Sequence, residues 1–245
     1  MNSVIDLLKA HRSIRKFTQQ PIAEELLEAL ILAGQSAATS SFLQGTTVIR
    51  VRNQETRQQI ASLAGSQRYV EKAAEFLVFC ADLKRSSDCC KQYDKEAAAG
   101  FTEQFIIATV DTALFAQNVA VAAESVDLGI CFIGGIRNDP AKVAELLKLP
   151  QGVYPVFGFC LGYPDQNPET KPRLPLSVVL KNEVYTEDND STAIANYDQH
   201  VREYYRTRTG GKKEMTWTEQ MSGFLAKESR PHMREFLRQQ GFEMK

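Results

Sequence analysis

The residues best suited to chemistry lie close to the start of the chain, in His11-Arg12-Ser13-Ile14-Arg15-Lys16-Phe17. Four potential anion partners, His11, Arg12, Arg15 and Lys16, and the Ser13 hydroxyl fall within six residues. A guanidinium presents a planar fork to phosphate oxygens, and main-chain N–H groups near a helix start add partial positive charge, so one reading is a grip for a phosphorylated small molecule. If the segment continues the helical turn before it, Arg12 meets Arg15 and Lys16 at i+3 and i+4, and their heads project to one side. The other reading is a solvated basic face, because cations so spaced are common on surfaces.

Three further stretches could serve the same ligand. Residues 35–41 are small and hydroxyl-rich, with Thr39, Ser40 and Ser41 at the end, which suits close approach to something flat or charged, or an ordinary polar loop. In 129–137, the pair Gly134-Gly135 strips side chains from a strand end, either for a ligand or backbone to come close or for a simple bend. Residues 163–175 hold four of the nine prolines, and Lys171 and Arg173 stand two apart in that stiff, extended run, so both can start from one side of it. The alternative there is a solvated linker.

Other chemistries find no support. The sequence contains no G-x-S-x-G elbow, P-loop, G-x-G-x-x-G after a strand or H-E-x-x-H, which argues against hydrolytic and kinase mechanisms. His11, His200 and His232 are far apart, none has a second ligand at metal spacing, and no metal is expected; structural roles are expected for His200 and His232. The cysteines are odd in number, without C-x-x-C spacing, and read as reduced thiols of a cytosolic protein; the adjacent Cys89-Cys90 has no neighbouring His or second pair. What remains, cations, hydroxyls and glycines without an acid–base pair, is what a cofactor-driven reaction leaves for the protein to supply.

The elements that must position these residues follow from periodicity and punctuation. Helices are expected at 3–9, from Pro21 with Ile22, Leu26, Ala29, Leu30 and Ala33 on one face, from the N-cap Asn53 to Gly65, and from Asp139-Pro140 to Pro150. Strands are expected at 46–51, 75–81 and 153–161, the second buried on both faces in the middle of the sheet. Residues 102–128 read as one helix, apolar almost all round, about 38 Å long at 1.5 Å per residue. A homodimer in which two such helices pack together would bury it more completely than a monomer. From about Ser191 an appended helical region is expected, with Ile194, Tyr197, His200, Val201 and Tyr204 on one face, a flexible basic loop at 206–213, and helices around Trp217 and after Pro231. With a length of 245 residues, 43% of them hydrophobic and 24% charged, and a net charge of −1, the balance pulls toward neither nucleic acid nor a membrane surface. Asp111, Gln117, Asn118 and Glu124 interrupt the longest apolar segment, so no membrane span is expected and the protein reads as soluble.

The motif His11-Arg12-Ser13-Ile14-Arg15, the loop Thr39-Ser40-Ser41-Phe42-Leu43-Gln44, Ile133-Gly134-Gly135-Ile136-Arg137-Asn138, Lys171-Pro172-Arg173-Leu174-Pro175 and the tail 205–213 together resemble the oxygen-insensitive nitroreductase family, in its NADPH-dependent nitroreductase and flavin-reductase branch. The match runs nearly end to end. It implies an α+β fold with a central mixed, mostly antiparallel sheet flanked by helices, an FMN-binding core over 1–190, and a helical extension over 191–245 that wraps the partner of an intertwined homodimer and covers the active site. It also implies a cytoplasmic enzyme with a ping-pong reaction, in which NADPH passes hydride to FMN and leaves before an acceptor takes the electrons. The acceptors implied are nitroaromatics, quinones or azo compounds, the alternative being free flavin; a non-catalytic FMN-binding module is the reading from another class. Position by position, His11, Arg12, Ser13 and Arg173 resemble the family's phosphate and ribityl contacts. Arg15, Gln67 and Lys171 resemble those near the polar edge of the flavin ring, and Thr39, Ser40 and Ser41 the interface loop. Phe132, Ile133, Gly134 and Gly135 resemble further cofactor-binding positions, Gly134 that of the main-chain N–H facing N5, and Arg208 stands where the family favours the NADPH 2′-phosphate. Thr39 replaces a more usual Ser, and Phe132 a Tyr, so a hydroxyl contact from Phe132 is absent.

Overall fold

In the computed structural model, which describes residues 2–245, four strands form one sheet: β1 (Thr46–Arg50), β2 (Glu75–Asp82), β3 (Gly129–Ile133) and β4 (Val153–Gly162). Their order is β1-β2-β4-β3 and every neighbouring pair is antiparallel. The sheet is therefore antiparallel among its strands rather than mixed. Among the described residues, its one parallel contact outside them is the isolated bridge between Ser13 and Ile130. The apolar run around 75–81 became the central β2, and all eight of its residues are buried, as a strand covered on both faces must be.

Around the sheet the helices are α1 (Ser3–Lys9), α2 (Glu24–Gln35), α3 (Gln54–Leu63), α4 (Tyr69–Lys72), α5 (Lys84–Lys91), α6 (Thr102–Glu124), α7 (Pro140–Leu146), α8 (Leu176–Val179), α9 (Asp190–Arg208), α10 (Trp217–Leu225) and α11 (Met233–Gln239). The strand period of two sorts β2 between two cores. Phe76, Val78 and Cys80 face α3, α4 and α7 through Ile60, Val70 and Val143, while Leu77 and Phe79 face α2 and α6 through Leu30, Ala116 and Val119. Asn53 and Asp139 cap α3 and α7 as expected, each side chain accepting from an N–H three residues on.

Several boundaries differ from the sequence expectation, each for a local reason. Pro21 lies ahead of α2, whose first turn begins at Glu24, and its buried face is Leu27, Leu30 and Gly34. Gly34 packs tightly on α6, where an added Cβ would run into the Phe115 ring. The long helix stops at Glu124, and the chain returns through Asp127 in the left-handed region, so Leu128 enters the core from a turn. Although α6 is long and apolar enough to cross a membrane, it packs against α2 and the sheet and carries the buried Asp111. It is also not apolar-and-buried all round: Ile106, Val110 and Leu114, spaced one turn apart, are 47%, 49% and 44% exposed.

The chain forms two compact units, one of residues 1–168 with 230–245 and one of 169–229. In the first, α11 packs on the body through Phe236 and Leu237, which join Tyr154 and Phe242. In the second, Tyr197, Val201, Tyr204 and Tyr205 of α9 pack with Leu174, Met215 and Trp217. The helix continues to Arg208, so Arg206 and Arg208, expected in a loop, are helical, and His200, expected on the apolar face with Tyr197 and Val201, is exposed. Thr216 and Glu219 form a reciprocal capping box that starts α10, and Asp198 accepts from the N–H groups of Trp217 and Thr218.

Candidate functional site

The basic stretch is not helical. α1 ends at Lys9, and the chain then runs extended along the outer edge of β3: Ser13 bridges Ile130, the Ile14 N–H donates to the Ile130 carbonyl at 2.8 Å, and Phe17 bridges Pro164. Two apolar anchors hold this arm. Ile14 and Phe17 are buried, and Ile14 lies so close over Gly129 that a Cβ there would meet it at 2.6 Å. The anchors outweigh helix propensity, so Arg12, Arg15 and Lys16 are distributed along an extended segment instead of stacked on one helical face.

Within the arm, the residues have different company. His11 Nδ1 lies 2.6 Å from Glu124 Oε1 at the end of α6. Arg12 Nη1 donates to Asn167 Oδ1 at 2.7 Å. Arg12 also lines a cavity of about 520 Å³, whose wall includes Glu124, Asp127 and Asp165. Those carboxylates offset part of the positive charge that Arg12 brings to it. Arg15 faces the other way, toward Tyr69 and Cys131, where burial raises both the Tyr69 hydroxyl and the Cys131 thiol above their ordinary pKa and the guanidinium acts against that rise.

Tyr69 ties this side together. Its hydroxyl donates to Gln67 Oε1 at 2.5 Å, and Gln67 Nε2 donates to the Ala64 carbonyl at 2.7 Å. Gln67 in turn abuts Gly135, where a Cβ would meet Nε2 at 2.8 Å and collide with the Ala64 carbonyl. The two glycines after β3 thus have separate causes. Gly135 is demanded by the protein's own backbone. A Cβ on Gly134 would first meet the Arg137 guanidinium, at 3.3 Å, so no close backbone atom requires that residue to be bare. The fold brings Arg15, Gln67, Tyr69 and the Gly134-Gly135 turn together. Tyr69, not singled out in sequence, is the brace of the group; the available signal was an aromatic hydroxyl two residues beyond Gln67.

Other expected residues lie apart from this group. Ile133 is buried in the core, and Phe132, its neighbour on the strand, points to the opposite face, packing edge-on against Phe157 and Phe159 with centroids 5.1 and 5.0 Å away. Thr39, Ser40 and Ser41 begin a tight turn in which Ser41, Phe42 and Gln44 all have positive φ. The Ser40 N–H donates to Asp111 Oδ1 at 3.1 Å, while Asp111 Oδ2 is buried without a partner among the described residues.

Lys171, Arg173 and Arg208 belong to the second unit. There the Tyr197 hydroxyl donates to the Pro172 carbonyl at 3.0 Å, which fixes the proline-rich run between the two cations. Lys171 Nζ sits 5.5 Å from the Tyr205 ring centroid, and Arg173 lowers the Tyr197 hydroxyl against the larger, raising effect of its burial. Arg208 is exposed, with its Nη1 donating to the Tyr204 hydroxyl at 2.7 Å and its guanidinium 5.7 Å from that ring. An exposed arginine braced by an aromatic hydroxyl keeps most of its donors available.

Comparison with known proteins bears on what these groups serve. Residues 8–163 match the model of the nitroreductase family, and 171–245 that of the nitroreductase family C-terminal domain. The chain is 47% identical over 241 residues to the NADPH-flavin oxidoreductase of Vibrio harveyi, covering 98% of each. It is 44% identical over 242 residues to the oxygen-insensitive NADPH nitroreductase of Salmonella typhimurium, covering 99% of each. Its fold is similar to the solved structure of the NADPH:FMN oxidoreductase from Vibrio harveyi complexed with NAD+, with a TM-score of 0.91 and 45% identity over the full length of both chains.

Proposed function

From the premise that this chain belongs to the nitroreductase family, in its NADPH-dependent flavin and nitro oxidoreductase branch, we propose that it holds FMN on the arm and turn described above and reduces small acceptors by two electrons in a ping-pong reaction. One observation carries the reading: Gln67, held by Tyr69 with Arg15 beside it, is braced against a Gly134-Gly135 turn whose first glycine has no backbone of its own chain close over it. The donor set fits FMN. Cations and a hydroxyl at Arg12, Ser13 and Arg173 suit its phosphate, and the Gly134 main chain suits a flat ring that must come close.

Bound FMN supplies a two-electron carrier that takes hydride from a nicotinamide and passes it on. The chain's own work is binding and electrostatics. In this reading Arg12, Ser13 and Arg173 hold the phosphate end with His11, Arg15, Gln67 and Lys171 lie at the polar edge of the ring, and Thr39, Ser40 and Ser41 complete the site from the neighbouring subunit of a homodimer. Phe132, Ile133 and Gly135 shape the strand end that carries Gly134. Arg208 recognises the 2′-phosphate of NADPH. Arg208→Ala is expected to raise the KM for NADPH about tenfold or more while sparing NADH, the loss of roughly one charge-assisted contact; equal effects on both nucleotides would remove that role.

The acceptors are nitroaromatics, quinones or azo compounds, with free flavin as the second reading because the similar Vibrio harveyi protein is a flavin oxidoreductase. A cytoplasmic location is part of the same proposal. The test is the visible spectrum of the purified protein, followed by anaerobic addition of NADPH. A two-banded flavin spectrum that bleaches is expected; a protein that stays colourless after incubation with FMN would defeat the proposal.

A further inference from the structure

We propose that Glu124 is the positioning residue for His11, fixing the imidazole so that its second nitrogen serves the phosphoribityl tail of a bound flavin. The inference rests on the flavin reading above. Glu124 is the last residue of α6, and no basic residue stands in that helix's last turn. The negative end of a helix disfavours a carboxylate there, so the acid is not explained by its own element. Its side chain is nonetheless only 13% exposed and meets His11 Nδ1 at 2.6 Å, a contact between residues 113 apart in sequence.

An ionised carboxylate only accepts, so the proton of this bond sits on Nδ1. One ring nitrogen is thereby committed to the protein. The other, Nε2, has no hydrogen-bond partner among the described residues, and the side chain is 29% exposed, so it is available to a ligand. The arm is tied down immediately after this point, by Arg12 to Asn167 and by the bridge from Ser13 to Ile130. A ring oriented by a buried partner and presented from a fixed backbone is a preorganised contact, as when a carboxylate orients a metal-binding imidazole. With Nδ1 alone protonated, Nε2 accepts from a ribityl hydroxyl; with both nitrogens protonated, its N–H donates to the phosphate and the pair sums to zero charge. Its contribution to the tail is therefore a directed hydrogen bond, and the net positive charge for a phosphate comes from the arginines.

The test uses the full-length protein freed of flavin by dialysis and titrated with FMN, riboflavin and lumiflavin by fluorescence quenching. Glu124→Ala and His11→Ala are expected to weaken FMN by about fivefold to tenfold, the effect of one hydrogen bond. Lumiflavin, which lacks the tail, keeps its affinity. Glu124→Gln, whose amide oxygen still accepts, recovers most of the loss. An equal loss for riboflavin assigns the contact to the polyol, and a loss confined to FMN assigns it to the phosphate. Nitrogen-15 spectra of the wild type should show His11 protonated at Nδ1, with that preference lost in Glu124→Ala. Equal losses for all three flavins, or undiminished FMN affinity in His11→Ala, overturn the proposal, since a pair that merely pins the arm is blind to the tail. The His11 variant decides the matter if Glu124→Ala does not fold. A wild-type protein that binds none of the three flavins overturns the flavin reading itself.

Discussion

Arg15 is exposed at the side of Tyr69 and has no carboxylate partner among the ion pairs of the described residues, so its charge is not neutralised by a neighbour. Reduction adds negative charge to an isoalloxazine, and a nearby guanidinium stabilises that state more than the oxidised one. If the difference is about 1.4 kcal/mol, Arg15→Ala lowers the two-electron midpoint potential of bound FMN by about 30 mV. Equilibrium titration against a reference dye checks this, and an unchanged potential with FMN still bound would remove the role. The glycine pair allows a sharper comparison. Gly135→Ala should lower thermal stability by about 1–3 kcal/mol, because its Cβ collides with the Ala64 carbonyl and Gln67. Gly134→Ala meets no backbone atom closely, only the Arg137 guanidinium held on the Val156 carbonyl, so its loss of stability should be smaller than that of Gly135→Ala while FMN affinity or the rate of flavin reduction falls.

Among the elements, the segments leading out of β1 and into β2 depend on one buried cation. Arg57 of α3 donates to the carbonyls of Val51, Ala73 and Ala74 at 2.7, 2.8 and 3.3 Å, and its burial lowers its pKa, opposed by the Glu75 charge. Glu75 is itself held by Arg50 through two bonds of 2.8 and 2.6 Å. Arg57→Leu therefore leaves three carbonyls without their donor, and a loss of about 3 kcal/mol in chemical denaturation is expected, because each buried, unsatisfied acceptor costs roughly 1 kcal/mol or more. Little change would show that water replaces the guanidinium. The same elements show how far sequence reached. β2, the N-caps Asn53 and Asp139 and the strand ending at Gly162 were legible because burial on both faces and capping leave local composition signals. The extended arm was not, since it is held by pairing to Ile130 and Pro164, which lie more than a hundred residues away.

At the scale of the molecule, two sets of apolar side chains lie uncovered in the single chain: Ile106, Val110 and Leu114 along α6 of the first unit, and Leu176, Val179, Leu180, Val184 and Tyr185 in the second. Exposed apolar rows of this kind mark association surfaces, which supports the proposed homodimer. Val110→Asp is expected to weaken the dimer by about tenfold or more, since it places a charge in an apolar contact. Sedimentation velocity across a concentration series reads the shift; an unchanged profile would place the interface elsewhere.

The sequence alone determined the chemistry-bearing residue types, the central strand, the long helix and the family, because propensity, capping and motif spacing are local and survive without the fold. Only the tertiary structure decided how those residues are grouped. It laid the basic stretch along β3 and set Arg15 against Tyr69 and Gln67. It paired His11 with Glu124, gave Gly134 and Gly135 different causes, and turned Phe132 to the other face of the sheet. These are contacts between residues distant in the chain, fixed by register and core packing, and a one-residue change of register would reverse which face each side chain serves.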